Sequence, residues 1–171
     1  MTASDATPLI YMAKLNKLHL LKEIFTEIQV TPEVKREAID KGKEKGYIDA
    51  YIIEEALKEG WIVESSLTEE SMERCKALAL IAGIDIGEAQ TIFIARQKNQ
   101  KIVLIDQSNA REAARQLGLT PRGTIYVVLS AAKRKILTKT EAKQILEMLI
   151  EKNFYVSAKI YRDALKAIEE L

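Results

Sequence analysis

Short apolar runs alternate along this chain with longer stretches whose apolar residues recur every three or four positions, the pattern of strands separated by helices. Thr2 to Asp5, Glu27-Ile28-Gln29-Val30, Trp61-Ile62-Val63 and Lys101 to Ile105 read as strands, the last with β-branched residues at three of its five positions. Leu117-Gly118-Leu119 is a candidate fifth strand, ahead of Pro121-Arg122-Gly123-Thr124, where a helix restarts. Strands separated by helices pair in parallel. The expected fold class is therefore α/β, a three-layer α/β/α arrangement with a central parallel sheet of four to five strands.

Helix boundaries carry their own signals. Thr7-Pro8 and Thr31-Pro32 each offer a capping hydroxyl followed by a proline suited to the first helical position, the second opening a helix through Val34, Ala38 and Ile39. Asp85-Ile86-Gly87-Glu88 reads as a capping box opening a helix over 89–98, and Thr138-Lys139-Thr140-Glu141 as another, with Ile145, Met148 and Leu149 on one face. Asn153 stops that helix, and Ser157 caps a last one bearing Ile160, Tyr161, Ala164 and Ile168. Gly42 to Gly46, with lysines between, reads as an exposed loop. No linker-like stretch or repeat divides the chain, so residues 1–171 are expected to form a single domain. The C-terminal helices, 138–171, would pack on it or lie at a dimer interface.

Composition narrows the chemistry. At 47% hydrophobic and 30% charged residues, the chain has an ordinary globular balance. Its one cysteine, Cys75, excludes an intramolecular disulfide and reads as a packed helix residue. The one histidine, His19, sits in Leu18-His19-Leu20-Leu21 as a helix-face residue, which removes histidine triads and histidine-rich metal sites. Chemistry here falls to carboxylates. No apolar stretch approaches the ~20 residues of a membrane span, and Met1 to Thr7 lacks the basic and apolar segments of a secretory signal, so a cytoplasmic protein is expected. Charge is uneven: residues 1–85 hold 11 Lys/Arg against 16 Asp/Glu, and residues 86–171 hold 15 against 9. An acidic half beside a basic half suits a metal cleft flanked by a phosphate-binding surface, although solvated helix faces would give the same totals.

Ligands of an open parallel sheet bind outside the carboxyl ends of its strands. Asp5 ends the first strand, Glu37 lies in the helix after the second, Glu88 opens the helix before the fourth, and Asp106 follows the fourth. Four carboxylates meeting at one edge would repel each other unless a cation neutralised them. Oxygen donors without histidine or cysteine suit Mg²⁺ or Mn²⁺. Locally, Glu88 could equally close its capping box, Glu37 could be a solvated helix residue, and Asp5 and Asp106 are ordinary strand-end residues.

The motifs around these acids resemble those of PIN domains. Ser4-Asp5-Ala6-Thr7-Pro8-Leu9-Ile10 is similar to the family's opening motif, Val30 to Glu37 to its second, and Asp85-Ile86-Gly87-Glu88-Ala89 to a Gly-Glu-Ala variant of its third. Leu104-Ile105-Asp106 with Ala110-Arg111 and Gly123-Thr124, and the segment Asn153 to Ser157, resemble a subgroup of compact prokaryotic members, the VapC-like toxin ribonucleases. The resemblance implies that Asp5, Glu37, Glu88 and Asp106 form the catalytic metal site, with Thr7 as a neighbouring hydroxyl that also serves helix capping. It implies a Mg²⁺- or Mn²⁺-dependent endoribonuclease acting on single-stranded RNA, possible toxin of a toxin–antitoxin pair, with a small antitoxin as partner and a homodimer as assembly. Tyr155, Ile160, Tyr161 and Ile168 supply apolar surface for such pairing. Arg111, Arg115 and Arg122, nearest the fourth motif, are the candidate phosphate binders, and equally solvated helix charges. With three Phe and one Trp no stacking platform is evident. One departure stands out: the subgroup pairs aspartates where this chain has Asp106-Gln107, and glutamine binds Mg²⁺ poorly. That departure supports a second reading, a non-cleaving PIN-like module that binds RNA or protein. A nucleotide-binding α/β domain is set aside, because no glycine-rich loop follows any strand.

Overall fold

A computed structural model describes residues 1–171. Five short parallel strands form one sheet in the order β3-β2-β1-β4-β5. They are β1 (Thr2–Ser4), β2 (Ile28–Val30), β3 (Ile62–Glu64), β4 (Ile102–Leu104) and β5 (Thr120–Arg122). The helices are α1 (Ala6–Lys14), α2 (His19–Phe25), α3 (Pro32–Lys35), α4 (Lys41–Glu44), α5 (Ile48–Lys58), α6 (Glu69–Ala82), α7 (Ile86–Gln97), α8 (Ser108–Gln116), α9 (Thr124–Lys133), α10 (Lys139–Glu151) and α11 (Ala158–Glu169). A π-helical turn, Arg36–Asp40, joins α3 to α4.

The three layers follow from the period of two along each strand. Leu104 of β4 faces one core, shared with Leu9 of α1, Ile53 of α5 and Val127 and Val128 of α9. Val103 and Ile105, one residue to either side, face the other core together with Ala3 of β1, Cys75 of α6, Ile92 of α7 and Ala114 of α8. The central strand is built from Thr2, Ala3 and Ser4, all buried. Small side chains there let helices approach on both faces, and the Thr2 hydroxyl donates to the Ile102 carbonyl at 2.7 Å.

Several boundaries differ from the sequence expectation. The fifth strand is Thr120–Arg122, not Leu117 to Leu119. Leu117 instead closes α8, and Gly118 at φ +80° turns the chain. Pro121 is tolerated because β5 is an edge strand whose ladder uses the Thr120 amide and the Arg122 carbonyl. Thr7 does not cap α1; Asp5 occupies the cap position and Thr7 lies inside the first turn. Thr31 does cap α3, accepting from the Val34 amide at 3.4 Å. The expected loop at Gly42 to Gly46 is largely helical, with Gly42 buried in α4 and only Gly46, at φ +72°, acting as a turn residue.

The C-terminal helices join the larger core through Ala142, Ile145, Leu146, Leu149, Ala164 and Ile168. Both expected signals hold there: Asn153 sits at φ 62°, and the Ser157 hydroxyl accepts from the Ile160 amide at 3.2 Å. Ile168 is fully buried and Tyr161 partly so, which leaves Tyr155 and Ile160 as exposed apolar residues of that segment. No helix is long and apolar enough to cross a membrane.

A Cβ on Gly42 would stand 2.7 Å from the Ala50 Cβ, closer than packed carbons approach. Gly42→Ala is expected to destabilise the protein by about 1–3 kcal/mol in denaturant titration, despite alanine's better helix propensity. Adding Ala50→Gly should recover part of that loss, and a single variant as stable as the wild type would refute the close α4–α5 contact.

Candidate acidic active site

β1 and β4 lie side by side at the point where the strand order reverses, and the cleft of an open α/β sheet forms at such a point. Asp5 follows β1 directly. Its amide donates to the Leu104 carbonyl at 2.9 Å, which fixes its backbone against β4. The side chain is only 6% exposed. Burial pushes its carboxyl up to about 7; the Ala6 and Thr7 amides pull the other way, and the Glu88 and Glu37 charges raise it further. No basic side chain is among the main influences on it.

The charges of Glu88, on α7, and of Glu37, an exposed residue of the π-helical turn, both act on Asp5. Glu88, 7% exposed, sits in the first turn of α7, and one of its oxygens accepts from the Asp85 amide at 2.9 Å. The capping box is real, and it leaves the other oxygen of the same carboxylate free. Burial raises the Glu88 carboxyl first, opposed by the Asp85 amide, with the Asp85 and Glu37 charges adding to the rise. Glu37 projects from the π-helical turn, a rare geometry that recurs at functional positions. A Cβ on Gly87 would lie in ordinary contact, 3.8 Å from Glu37 Oε2 and 3.6 Å from Glu33 Cγ, which sets the start of α7 against this turn. Desolvation raises the Glu37 carboxyl, Lys41 and Arg36 oppose, and the Asp85 and Glu33 charges add to the rise. Asp85 and Glu33 thus extend the acidic neighbourhood. Their spacing, Glu33 one helical turn before Glu37 and Asp85 three residues before Glu88, was the available signal.

Asp106 is placed differently. Its Oδ1 accepts from the Thr124 amide at 2.8 Å and its Oδ2 from the Thr124 hydroxyl at 2.6 Å, so both oxygens hold the first turn of α9. Burial raises its carboxyl, while Thr124 and the Arg111 guanidinium oppose. None of the other three acids is among its main influences. Gln107 caps α8, its side-chain oxygen accepting from the Ala110 amide at 2.7 Å. That task needs an acceptor oxygen, which an aspartate at this position would also supply.

The three arginines are near one another but unequal. Arg115 is exposed and pairs with Glu112 at 3.0 Å. Arg111 donates to the Ile105 carbonyl at 2.9 Å. Burial, and then the charges of Arg115 and Arg122, lower its pKa, with Asp106 opposing. Arg122 lies over the Tyr126 ring at 4.6 Å, and its Nε is buried without a partner.

The arrangement meets a divalent ion's needs in chemistry more than in closeness. Asp5, Glu37 and Glu88 form an oxygen-only, like-charged set around a buried carboxylate, the kind of donor set that Mg²⁺ or Mn²⁺ offsets. No three Asp, Glu, His or Cys side chains stand together in position to ligate an ion as they lie.

A family model described as a PIN domain matches residues 1–170. No curated protein matches the chain. Among solved structures, the crystal structure of PAE2754 from Pyrobaculum aerophilum superposes with a TM-score of 0.53 at 14% identity, covering 77% of this chain and 96% of that one. At that identity the likeness concerns the fold.

A carboxyl whose folded pKa exceeds its unfolded value takes up protons on folding, so the stability it gives is complete below the unfolded pKa and is lost as pH rises through the folded one. For Asp5 that window runs from 3.8 to about 7. Asp5→Asn removes the titration and keeps the shape. The melting temperature of the metal-free variant, minus that of the wild type, should therefore climb between pH 4 and pH 8, in line with that window. A difference that stays constant with pH would show that Asp5 is not the strained carboxylate described.

Proposed function

The chain belongs to the PIN-domain family, whose members are generally nucleases, and on that footing we propose that it is a divalent-metal-dependent endoribonuclease that hydrolyses phosphodiester bonds of single-stranded RNA. The observation that carries this reading is the buried Asp5 carboxylate at the strand-order reversal, on which the Glu88 and Glu37 charges act. Asp5, Glu37 and Glu88 would hold Mg²⁺ or Mn²⁺. A divalent cation bound there supplies the positive charge that offsets charge building up on the phosphate during hydrolysis. Asp5 and Glu88 are both buried; the Asp5 backbone is fixed by its amide donating to the Leu104 carbonyl, and the Glu88 carboxylate by the α7 capping box. The Thr7 amide stands beside Asp5, which makes this residue part of the site through its backbone. Asp106 serves in this reading to position α9 and its basic neighbours. In the wider form of the proposal the enzyme is the toxin of a toxin–antitoxin pair, with a small antitoxin and a second copy of the chain as partners.

A second reading, a non-cleaving PIN-like module, is favoured by one observation: Thr124 occupies both Asp106 oxygens, so the fourth carboxylate is engaged elsewhere. Cleavage assays separate the two.

Purified protein should cut labelled single-stranded RNA with Mn²⁺ or Mg²⁺ and stop in chelator. Asp5→Asn and Glu88→Gln should each reduce the rate to about one hundredth or less, the scale of losing one element of electrostatic stabilisation. Cleavage that persists in chelator, or no cleavage with any divalent ion, would defeat the proposal.

Asp106→Ala should instead act on stability, costing about 1 kcal/mol through the uncapped α9. An Asp106→Asn variant that folds normally and yet loses Mn²⁺-induced stabilisation would move Asp106 into the metal-holding set.

A further inference from the structure

Beside the acidic edge, on the β5 side, lies a cavity of about 580 Å³, within the range of about 300–1,000 Å³ typical of small-molecule sites. Asp106, Arg111, Arg122, Tyr126, Tyr155 and Ser157 are among the residues that line it. Two guanidinium groups therefore border one space. Arg111 is tied to a backbone carbonyl and Arg122 is stacked on Tyr126 with its Nε unpartnered. By contrast, their exposed neighbour Arg115 is already paired with Glu112. Neither Arg111 nor Arg122 makes an ion pair, although the Asp106 charge acts on Arg111, and planar guanidinium groups so placed suit phosphate oxygens. Tyr155 is 91% exposed, an unusual position for a large ring in a segment whose neighbour Phe154 is buried. An exposed ring beside unpaired arginines is the pairing that stacks a base and holds its phosphate. Asp106 follows β4 and Asp5 follows the adjacent β1, so this cavity adjoins the acidic edge.

We infer that the cavity is a nucleotide subsite, in which Arg111 and Arg122 take a phosphate and Tyr155 stacks the base of single-stranded RNA running off the acidic edge. The subsite rests on the ribonuclease reading for its choice of polymer, and not for its ability to bind a nucleotide.

The test is calorimetric titration of the full chain in chelator with adenosine monophosphate, adenosine and inorganic phosphate. Adenosine monophosphate should bind saturably and more tightly than either fragment, and a single-stranded oligoribonucleotide should displace it. Tyr155→Ala, at an exposed position that the fold does not need, should weaken adenosine monophosphate by about 5-fold or more, as expected for loss of one stacked base, and leave phosphate unchanged. Arg122→Gln and Arg111→Gln should weaken both. If either arginine variant fails to fold, the Tyr155 variant and the displacement carry the test. Asp5→Asn should lose RNA cleavage and keep adenosine monophosphate binding, which separates failure of the nuclease reading from failure of the subsite. No saturable binding at millimolar adenosine monophosphate would overturn the inference, as would binding that Tyr155→Ala leaves unchanged. Binding of an acidic peptide in its place would overturn it too, and make the cavity a protein-docking site.

Discussion

Asp5 is held almost out of water at the end of the central strand, where the charges of two other carboxylates act on it. A charge in that position is costly, and the fold is arranged to keep it there. The backbone before it is fixed in the sheet on both sides, by pairing to β2 and to β4. Small residues in β1 allow α1 and α7 to come close enough to exclude water. A residue kept in such a place against its own solvation marks where the molecule gives up stability for chemistry.

The two halves of the sheet treat their acids in opposite ways. Toward β2, the Glu88 and Glu37 charges both act on Asp5 and raise its carboxyl. On the β5 side, Asp106 is satisfied by Thr124 and offset by Arg111. A side chain on Gly123 would collide with the Asp106 carboxylate, so that turn is shaped around it. The uneven charge of the sequence thus becomes a gradient across one edge: unbalanced negative charge at the switch point, arginines and tyrosines beyond it. A phosphodiester chain crossing that edge would meet both in order.

Much of this was legible in the residues. The parallel sheet, the Thr31 cap, both capping boxes and the Asn153 stop depend on local backbone preferences, which sequence states directly. Family membership was readable from ordered motifs that span nearly the whole chain. What sequence spacing could not give was the partner of each oxygen. Asp106 sits at a strand end like Asp5, and only the fold brings Thr124 to both of its oxygens. Tyr126 and Tyr155 are far apart in the chain and come to one cavity through the packing of α9 against α10 and α11, so the aromatic surface was invisible to a count of Phe and Trp. The last helix likewise looked richer in free apolar surface than it is, because Ile168 turns fully into the core.

The π-helical turn at Arg36–Asp40 has an effect on how the chain can be read at all. A helical wheel advances about 100° for each residue, and a wide turn takes in one residue more than that rule allows. Across the wide turn Val34, Ala38 and Gly42, each four residues apart, stay on one buried face. The glycine and lysines of 41–44 then imitate a loop. A wide turn takes in one extra residue, so an ungapped comparison with a relative lacking it would be displaced by one position on one side of it.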